Sequence, residues 1–265
     1  MIFKSPGEIL ININGFPVYY YGVIMELACL IGVYISYKLF KKYHPDENYR
    51  RIWDFAAYLL ISGIIGARLY YCCLNPSRYF ENPLEIFNIR EGGLSIHGAL
   101  LVGIIMLIVL AKRYKLDSMK LLDVFSCGTA FAQSLGRGGN FFNSEAFGTP
   151  TNLPWKLYIP PSQRPDEYIN YDFFHPTFLY ESILDLLIFI VLLFILKKYS
   201  TKSPGTTMFS YLIMYAAARI FVESFRTDSV LNFMGIHIAH IISLIMLLVG
   251  IIGIILNVKL YKVKG

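Results

Sequence analysis

The chain has 265 residues, 55% of them hydrophobic and 16% charged, with a formal net charge of +6 and a mean hydropathy of +0.51. A soluble domain carries about 25% charged residues, so the composition excludes an ordinary soluble protein and points to an all-α, polytopic integral membrane protein. The basic residues fall in short clusters between apolar runs, which excludes the contiguous basic surface of a nucleic-acid binder.

About seven spans are expected, each with the ~20 residues needed to cross ~30 Å of hydrocarbon. They cover roughly 18–39, 53–74, 94–110, 121 into the glycine-rich stretch 136–148, 176–196, 206–226 and 233–258. The amphipathic N-terminal stretch does not read as a cleavable signal peptide, so the first span is expected to stay. Lys38, Lys41, Lys42, Arg50 and Arg51 follow the first span, Lys112, Arg113, Lys115 and Lys120 the third, Lys197, Lys198 and Lys202 the fifth, and Lys259, Lys262 and Lys264 the last. The opposite connections hold only Lys4, Arg78, Arg90, Lys156 and Arg164. The positive-inside rule then puts the N-terminus outside, the C-terminus in the cytoplasm, and loops at about 75–93 and 149–175 outside. A single membrane-embedded domain over 1–265 is expected, with no internal repeat. Cys29, Cys72, Cys73 and Cys127 lie in apolar runs without a Cys-x-x-Cys pair, so they read as small buried hydrophobes.

The polar residues lie unevenly in depth. At 1.5 Å per residue, Arg68 sits ~22 Å along the second span, Arg137 ~24 Å along the fourth and Arg219 ~20 Å along the sixth, each counted from the cytoplasmic end. Tyr21 and Glu26 lie in the first turns of the first span, and His97 opens the third. His175 and Glu181 open the fifth, and His237 and His240 lie in the outer half of the seventh. The inner halves read as nearly bare. An ionised side chain at the centre of a span costs at least ~2.5 kcal/mol, so such groups mark function or pair with one another. The convergence points to a buried polar cavity open to the outer face; the plainer alternative is a set of structural ion pairs.

Gly136-Arg137-Gly138-Gly139-Asn140-Phe141-Phe142-Asn143-Ser144-Glu145-Ala146-Phe147-Gly148 reads as a bent helix end with open N–H groups, an anion seat, or else as a helix-breaking turn at the membrane surface. Tyr215, Arg219, Glu223 and Arg226 share one helix face, where Arg219 and Glu223 can pair in place. Arginine's planar fork matches a phosphodiester, so Arg137 and Arg219 are expected to hold the phosphate of a lipid head group. His97, in a segment with small residues on either side, is either a general base working near neutral pH or a helix–helix hydrogen bond. His97, His175, His237 and His240 have no metal-binding pattern, and no metal or cofactor is expected.

Several segments together resemble one family, the phosphatidylglycerol–prolipoprotein diacylglyceryl transferases. Gly92-Gly93-Leu94-Ser95-Ile96-His97-Gly98 resembles its Gly-Gly-x-Ser-x-His-Gly motif, and 136–148 looks like its signature. Tyr21-Gly22, Gly66-Ala67-Arg68, His175-Pro176-Thr177-Phe178-Leu179-Tyr180-Glu181 and Arg219-Ile220-Phe221-Val222-Glu223-Ser224-Phe225-Arg226 are also similar. The departures are Glu26, where an apolar residue is usual, Ala239-His240-Ile241-Ile242-Ser243 in place of Gly-Gln-x-x-Ser, and a shorter outer loop after the signature.

The resemblance implies transfer of the diacylglyceryl group of phosphatidylglycerol to the lipobox cysteine of a preprolipoprotein signal peptide, the first step of bacterial lipoprotein maturation. It implies a site facing the outer leaflet of the bacterial cytoplasmic membrane. His97, Arg137 and Arg219 are the expected catalytic residues. Tyr21, Arg68, Asn140, Asn143, Glu145, Gly148, Glu223 and Arg226 are the expected substrate-binding residues. A transporter or flippase for an anionic solute is the alternative reading; it predicts polar residues continuing into the inner half and an internal repeat.

Overall fold

The computed structural model describes residues 2–88, 92–226, 232–233 and 236–264. Arg90 and the side chain of His237 lie outside the described residues. Long helices dominate: α1 (Tyr20–Tyr43), α2 (Arg51–Leu74), α4 (Ile96–Tyr114), α5 (Ser118–Asn143), α6 (Thr177–Tyr199), α7 (Thr206–Glu223) and α8 (Ile238–Lys264), with a short α3 (Pro76–Glu81). Among the described residues, α1, α2, α4, α6 and α8 are long and apolar enough to cross a membrane. The stretches expected as the other two spans are also helical, as α5 and α7, and are not among these five; α5 carries Arg137 and α7 carries Arg219. Their polarity is compatible with burial: Leu121, Val124, Cys127 and Ala130 on α5 and Ala216 and Val222 on α7 are fully enclosed.

The chain divides into two compact units, Met1–Leu39 with Leu122–Gly265, and Phe40–Leu121. In the first unit α6 packs on α7 and α7 on α8. Two glycines bring α1 and α5 together: a Cβ on Gly32 would come within 2.8 Å of the Gly128 carbonyl oxygen. Strands absent from the all-α expectation stand ahead of these helices. β1 (Phe3–Lys4) belongs to a three-stranded sheet, and β2 (Ile9–Ile13) pairs antiparallel with β3 (Phe16–Tyr19). The turn of that hairpin is Asn14-Gly15, both with positive φ, the pairing that two-residue hairpins favour. β4 (Leu157–Tyr158) is the middle strand of the three-stranded sheet, flanked by β1 and β5 (Phe173–Phe174). Beneath that sheet Ala146, Phe147, Leu157, Ile159, Phe174 and Phe178 form a buried apolar cluster that fixes the 144–148 turn. β6 (Asn232–Phe233) and β7 (Ile236–His237) pair antiparallel before α8.

The start of α7 is not bare. Asp123 on α5, 1% exposed, accepts hydrogen bonds from the backbone N–H of Gly205 at 2.7 Å and of Met208 at 2.8 Å. It thereby caps another helix's N-terminus, where orphan donors and the helix dipole favour a carboxylate. Asn257 on α8 donates to the carbonyl oxygens of Ser203 and Pro204 at 3.4 and 3.0 Å, and to the Thr206 hydroxyl at 3.1 Å. The expectation of nearly bare inner halves is corrected here: polar residues occur at this end too, consumed in holding three helices together.

In the second unit α2 packs on α4. The crossing is set by glycines. A Cβ on Gly66 would lie 2.6 Å from the Gly98 carbonyl oxygen and from Val102 Cβ, and one on Gly98 would collide with the Gly66 carbonyl and Tyr70. The segment between them holds α3 and a 3-10 turn, Pro83–Phe87.

Candidate functional site

Three guanidinium groups gather on one carboxylate in the first unit. Glu181, in the second turn of α6, is 5% exposed. Its Oε1 accepts from Arg219 Nη1 at 2.6 Å and from Arg226 Nη1 at 3.1 Å. Its Oε2 lies 2.6 Å from Arg137 Nη2, a close ion contact off the N–H axis. Arg219 Nη2 stands 2.8 Å from Glu223 Oε2, the pair expected four residues apart on one helix face. Arg137 Nε is 4.0 Å from Asp185 Oδ2, and that oxygen is buried and makes no hydrogen bond among the described residues. The charges of Arg137, Arg219 and Arg226 are thus formally balanced by Glu181, Glu223 and Asp185, as buried charges require.

The positions of these groups follow from local structure. Glu181 and Asp185 are four apart on α6 and share its face. The helix start is pinned by Thr177 Oγ1 donating to the Ala146 carbonyl at 2.6 Å and by the Phe178 N–H donating to the same oxygen at 3.0 Å. Ser182 donates to the Ser134 carbonyl at 2.8 Å, one turn before Arg137. Tyr211 on α7 donates to Gln133 on α5 at 2.9 Å and stacks on Tyr215. Arg137, Glu181, Asp185, Tyr215, Ala218 and Arg219 enclose a cavity of about 10 Å³, room for no more than a water.

The glycine stretch departs from the expected bent, open helix end. α5 runs without a break through Gly136, Gly138 and Gly139 to Asn143, so those N–H groups face along a helix. Gly139 serves contact: a Cβ there would come within 2.7 Å of the Tyr21 ring. The bend falls later, at Ser144 and Ala146, both with positive φ. Glu145 projects between them and accepts from Asn140 Nδ2 at 2.9 Å and Asn143 Nδ2 at 3.3 Å. Gly148 is where three segments cross. Its N–H donates to the His175 carbonyl at 2.9 Å, it bridges to Arg226, and a Cβ would lie 2.6 Å from the Phe225 carbonyl oxygen. The sixth span, expected to reach Arg226, ends as helix at Glu223. Arg226 reaches Glu181 from the turn that follows.

His175 stands beside this cluster. Its Nδ1 is 3.1 Å from the Tyr180 hydroxyl, which also accepts from Trp155 Nε1 at 3.1 Å. Burial holds the His175 imidazole below the usual histidine range, which favours the neutral ring.

In the second unit, His97 lies in the first turn of α4, exposed, with its ring 6.2 Å from that of Tyr70. The Ser95 N–H donates to the Ala67 carbonyl at 3.0 Å just before it. Arg68, one residue further along α2, is buried and bonded wholly to backbone carbonyls.

From the sequence Glu181 had a place in the polar layer but no assigned role, and Asp185 had neither. Asp185 carried a signal, an acid inside the apolar run 182–196 and four residues after another acid. Tyr180 carried none, since its role depends on Trp155 and His175 arriving from elsewhere.

The family model described as "Prolipoprotein diacylglyceryl transferase" matches residues 8–256. A phosphatidylglycerol–prolipoprotein diacylglyceryl transferase of Prochlorococcus marinus (strain MIT 9215) is 41% identical over 242 residues, covering 85% of this chain and 81% of that protein. The protein of the same name from Synechococcus elongatus is 42% identical over 233 residues, covering 86% and 80%. That of Synechocystis sp. is 42% identical over 236 residues, covering 86% and 82%. With the match running from ahead of α1 into α8, the chain belongs to the prolipoprotein diacylglyceryl transferase family.

Proposed function

We propose that the chain transfers the diacylglyceryl group of phosphatidylglycerol to the thiol of a lipobox cysteine in a preprolipoprotein, the first step of lipoprotein maturation. Family membership supports the reaction. The convergence of Arg137, Arg219 and Arg226 on Glu181 is the observation that carries the choice of site. The thiolate is the nucleophile. His97 takes the thiol proton, a C–S bond forms at the glyceryl carbon, and the C–O bond to phosphate breaks, releasing glycerol phosphate. Arg137 and Arg219 turn their donors from Glu181 to the phosphate as its charge develops, and Glu223 and Asp185 keep the buried charge balanced. Tyr21, Asn140, Asn143 and Glu145 line the head group, while Gly148 lets the turns around it close. Arg226 steadies Glu181.

We place the chain in the bacterial cytoplasmic membrane as seven spans, with the N-terminus outside and the site toward the outer leaflet. The one-sided lysine clusters support this orientation. Purified protein incubated with phosphatidylglycerol and a lipobox peptide should give a peptide heavier by one diacylglyceryl group. A peptide with serine for the cysteine should stay unmodified. Glycerol phosphate or free lipid appearing without any peptide adduct would identify a hydrolase instead.

A further inference from the structure

All five N–H donors of the Arg68 guanidinium end on backbone carbonyls of one short segment. Nε donates to Ile86 at 2.9 Å, Nη1 to Gly92 at 2.9 Å and Gly93 at 3.0 Å, and Nη2 to Asn88 at 2.9 Å and to Glu85. A guanidinium has five donors in a fixed planar fork, so this arrangement leaves none for a phosphate. The side chain is buried, with the Tyr79 ring 5.3 Å from its central carbon.

The acceptors belong to a 3-10 turn and to residues outside regular structure, whose carbonyls need partners once covered. The outward side of this segment is apolar. Phe87, and Phe80 and Leu84 just ahead of the segment, are 81%, 83% and 83% exposed, so those side chains do little to hold this part of the chain in place. Arg68 provides the polar hold from beneath.

Gly93 fits the same arrangement. Its φ is +73°, and a Cβ there would strike Arg68 Nη1 and come within 2.9 Å of the Tyr71 ring. The backbone passes over the guanidinium only as glycine. Ser95 then bonds to Ala67, α4 begins, and His97 is in its first turn. The described residues 85–88 and 92–97 therefore take their path from the helix turn that carries Arg68.

We propose that Arg68 is a positioning residue for His97, gathering the carbonyls of Glu85, Ile86, Asn88, Gly92 and Gly93 to fix the entry to α4, and not a ligand of the lipid head group. This rests on the reading of His97 as the base for the thiol. Lysine offers three donors on a flexible stem and cannot span the five carbonyls.

The test uses the full-length protein in phosphatidylglycerol-containing nanodiscs with a lipobox peptide. Wild type, Arg68→Lys, Gly93→Ala and His97→Gln are compared at equal folded protein. For Arg68→Lys, kcat should fall by about tenfold or more while KM for phosphatidylglycerol stays within about twofold. Backbone hydrogen exchange should quicken across 85–97 and nowhere else, and Gly93→Ala should move in the same direction. A KM for phosphatidylglycerol raised about tenfold with kcat and exchange unchanged would make Arg68 a head-group ligand and overturn the proposal. Exchange quickened throughout, with kcat falling in step with thermal stability, would reduce Arg68 to general support and overturn it too. A wild-type rate in His97→Gln removes the base assignment beneath the proposal. Loss of rate in His97→Gln with Arg68→Lys unaffected sinks the proposal alone.

Discussion

Glu181 shows how much a single side chain can organise. Its two oxygens meet Arg137, Arg219 and Arg226; the sequence suggests a role for each of those arginines but only a place in the polar layer for the acid that gathers them. An arginine inside a membrane span is conspicuous by cost; which acid neutralises it depends on how α5, α6 and α7 meet, and no local pattern records that. Arg68 shows the same limit from the other side. Its depth and charge make it resemble a substrate ligand, and only the directions of five backbone carbonyls show where its donors go. At Arg137 the planar fork is central, because it faces Glu181 and Asp185 together. Arg137→Lys keeps the charge and loses the paired geometry, so turnover should fall by at least about tenfold, equivalent to ~1.4 kcal/mol of barrier. Steady-state transfer at saturating peptide measures this, and wild-type turnover in the lysine variant would show that charge alone suffices.

At the scale of elements, the long helices were legible because runs of about 20 apolar residues have few other uses. Their ends were less so. The glycine run at 136–139 looked like a helix end, yet α5 continues to Asn143, with Gly136 packed on Met25 and Gly139 on Tyr21. The β2–β3 hairpin did leave a trace, Asn14-Gly15 between apolar residues, which the hydropathy of the neighbouring span overshadowed. Asp123, which caps α7, lies more than 80 residues before the N–H groups that donate to it, and the cap has no sequence signature. Its removal should be costly: Asp123→Ala leaves the Gly205 and Met208 N–H groups without this partner, and loss of such a cap costs ~1–2 kcal/mol. Thermal unfolding in detergent should show a lower midpoint for Asp123→Ala, with Asp123→Asn partly restored because the amide oxygen still accepts. An unchanged midpoint for the alanine variant would mean the cap contributes nothing to stability.

For the whole molecule, the one-sided placement of lysines is the basis of the proposed orientation, and among the described residues five helices have the length and apolarity of spans. The proposed topology joins them to α5 and α7, whose polar faces are turned to other helices. It can be checked at two exposed positions, Glu167 in the 149–175 loop and Asp117 between α4 and α5. In intact cells an impermeant thiol reagent should label Glu167→Cys and reach Asp117→Cys only after permeabilisation, with the native cysteines as background controls. Labelling of both from outside, or the reverse order, would contradict the seven-span arrangement with the site at the outer leaflet.

The central claim is that this chain supplies its own proton acceptor for the substrate thiol. A free cysteine thiol, with a pKa of ~8.5, is mostly protonated at neutral pH, so an enzyme that activates it must remove the proton. The most direct measurement is the single-turnover rate of adduct formation against pH for wild type and His97→Gln, at equal folded protein and saturating phosphatidylglycerol. The wild type should keep a substantial rate at pH 7. His97→Gln should be slow there and should recover only as the peptide thiol ionises by itself near ~8.5. A His97→Gln protein that matches the wild-type rate at pH 7 would contradict the account and move the proton acceptor elsewhere.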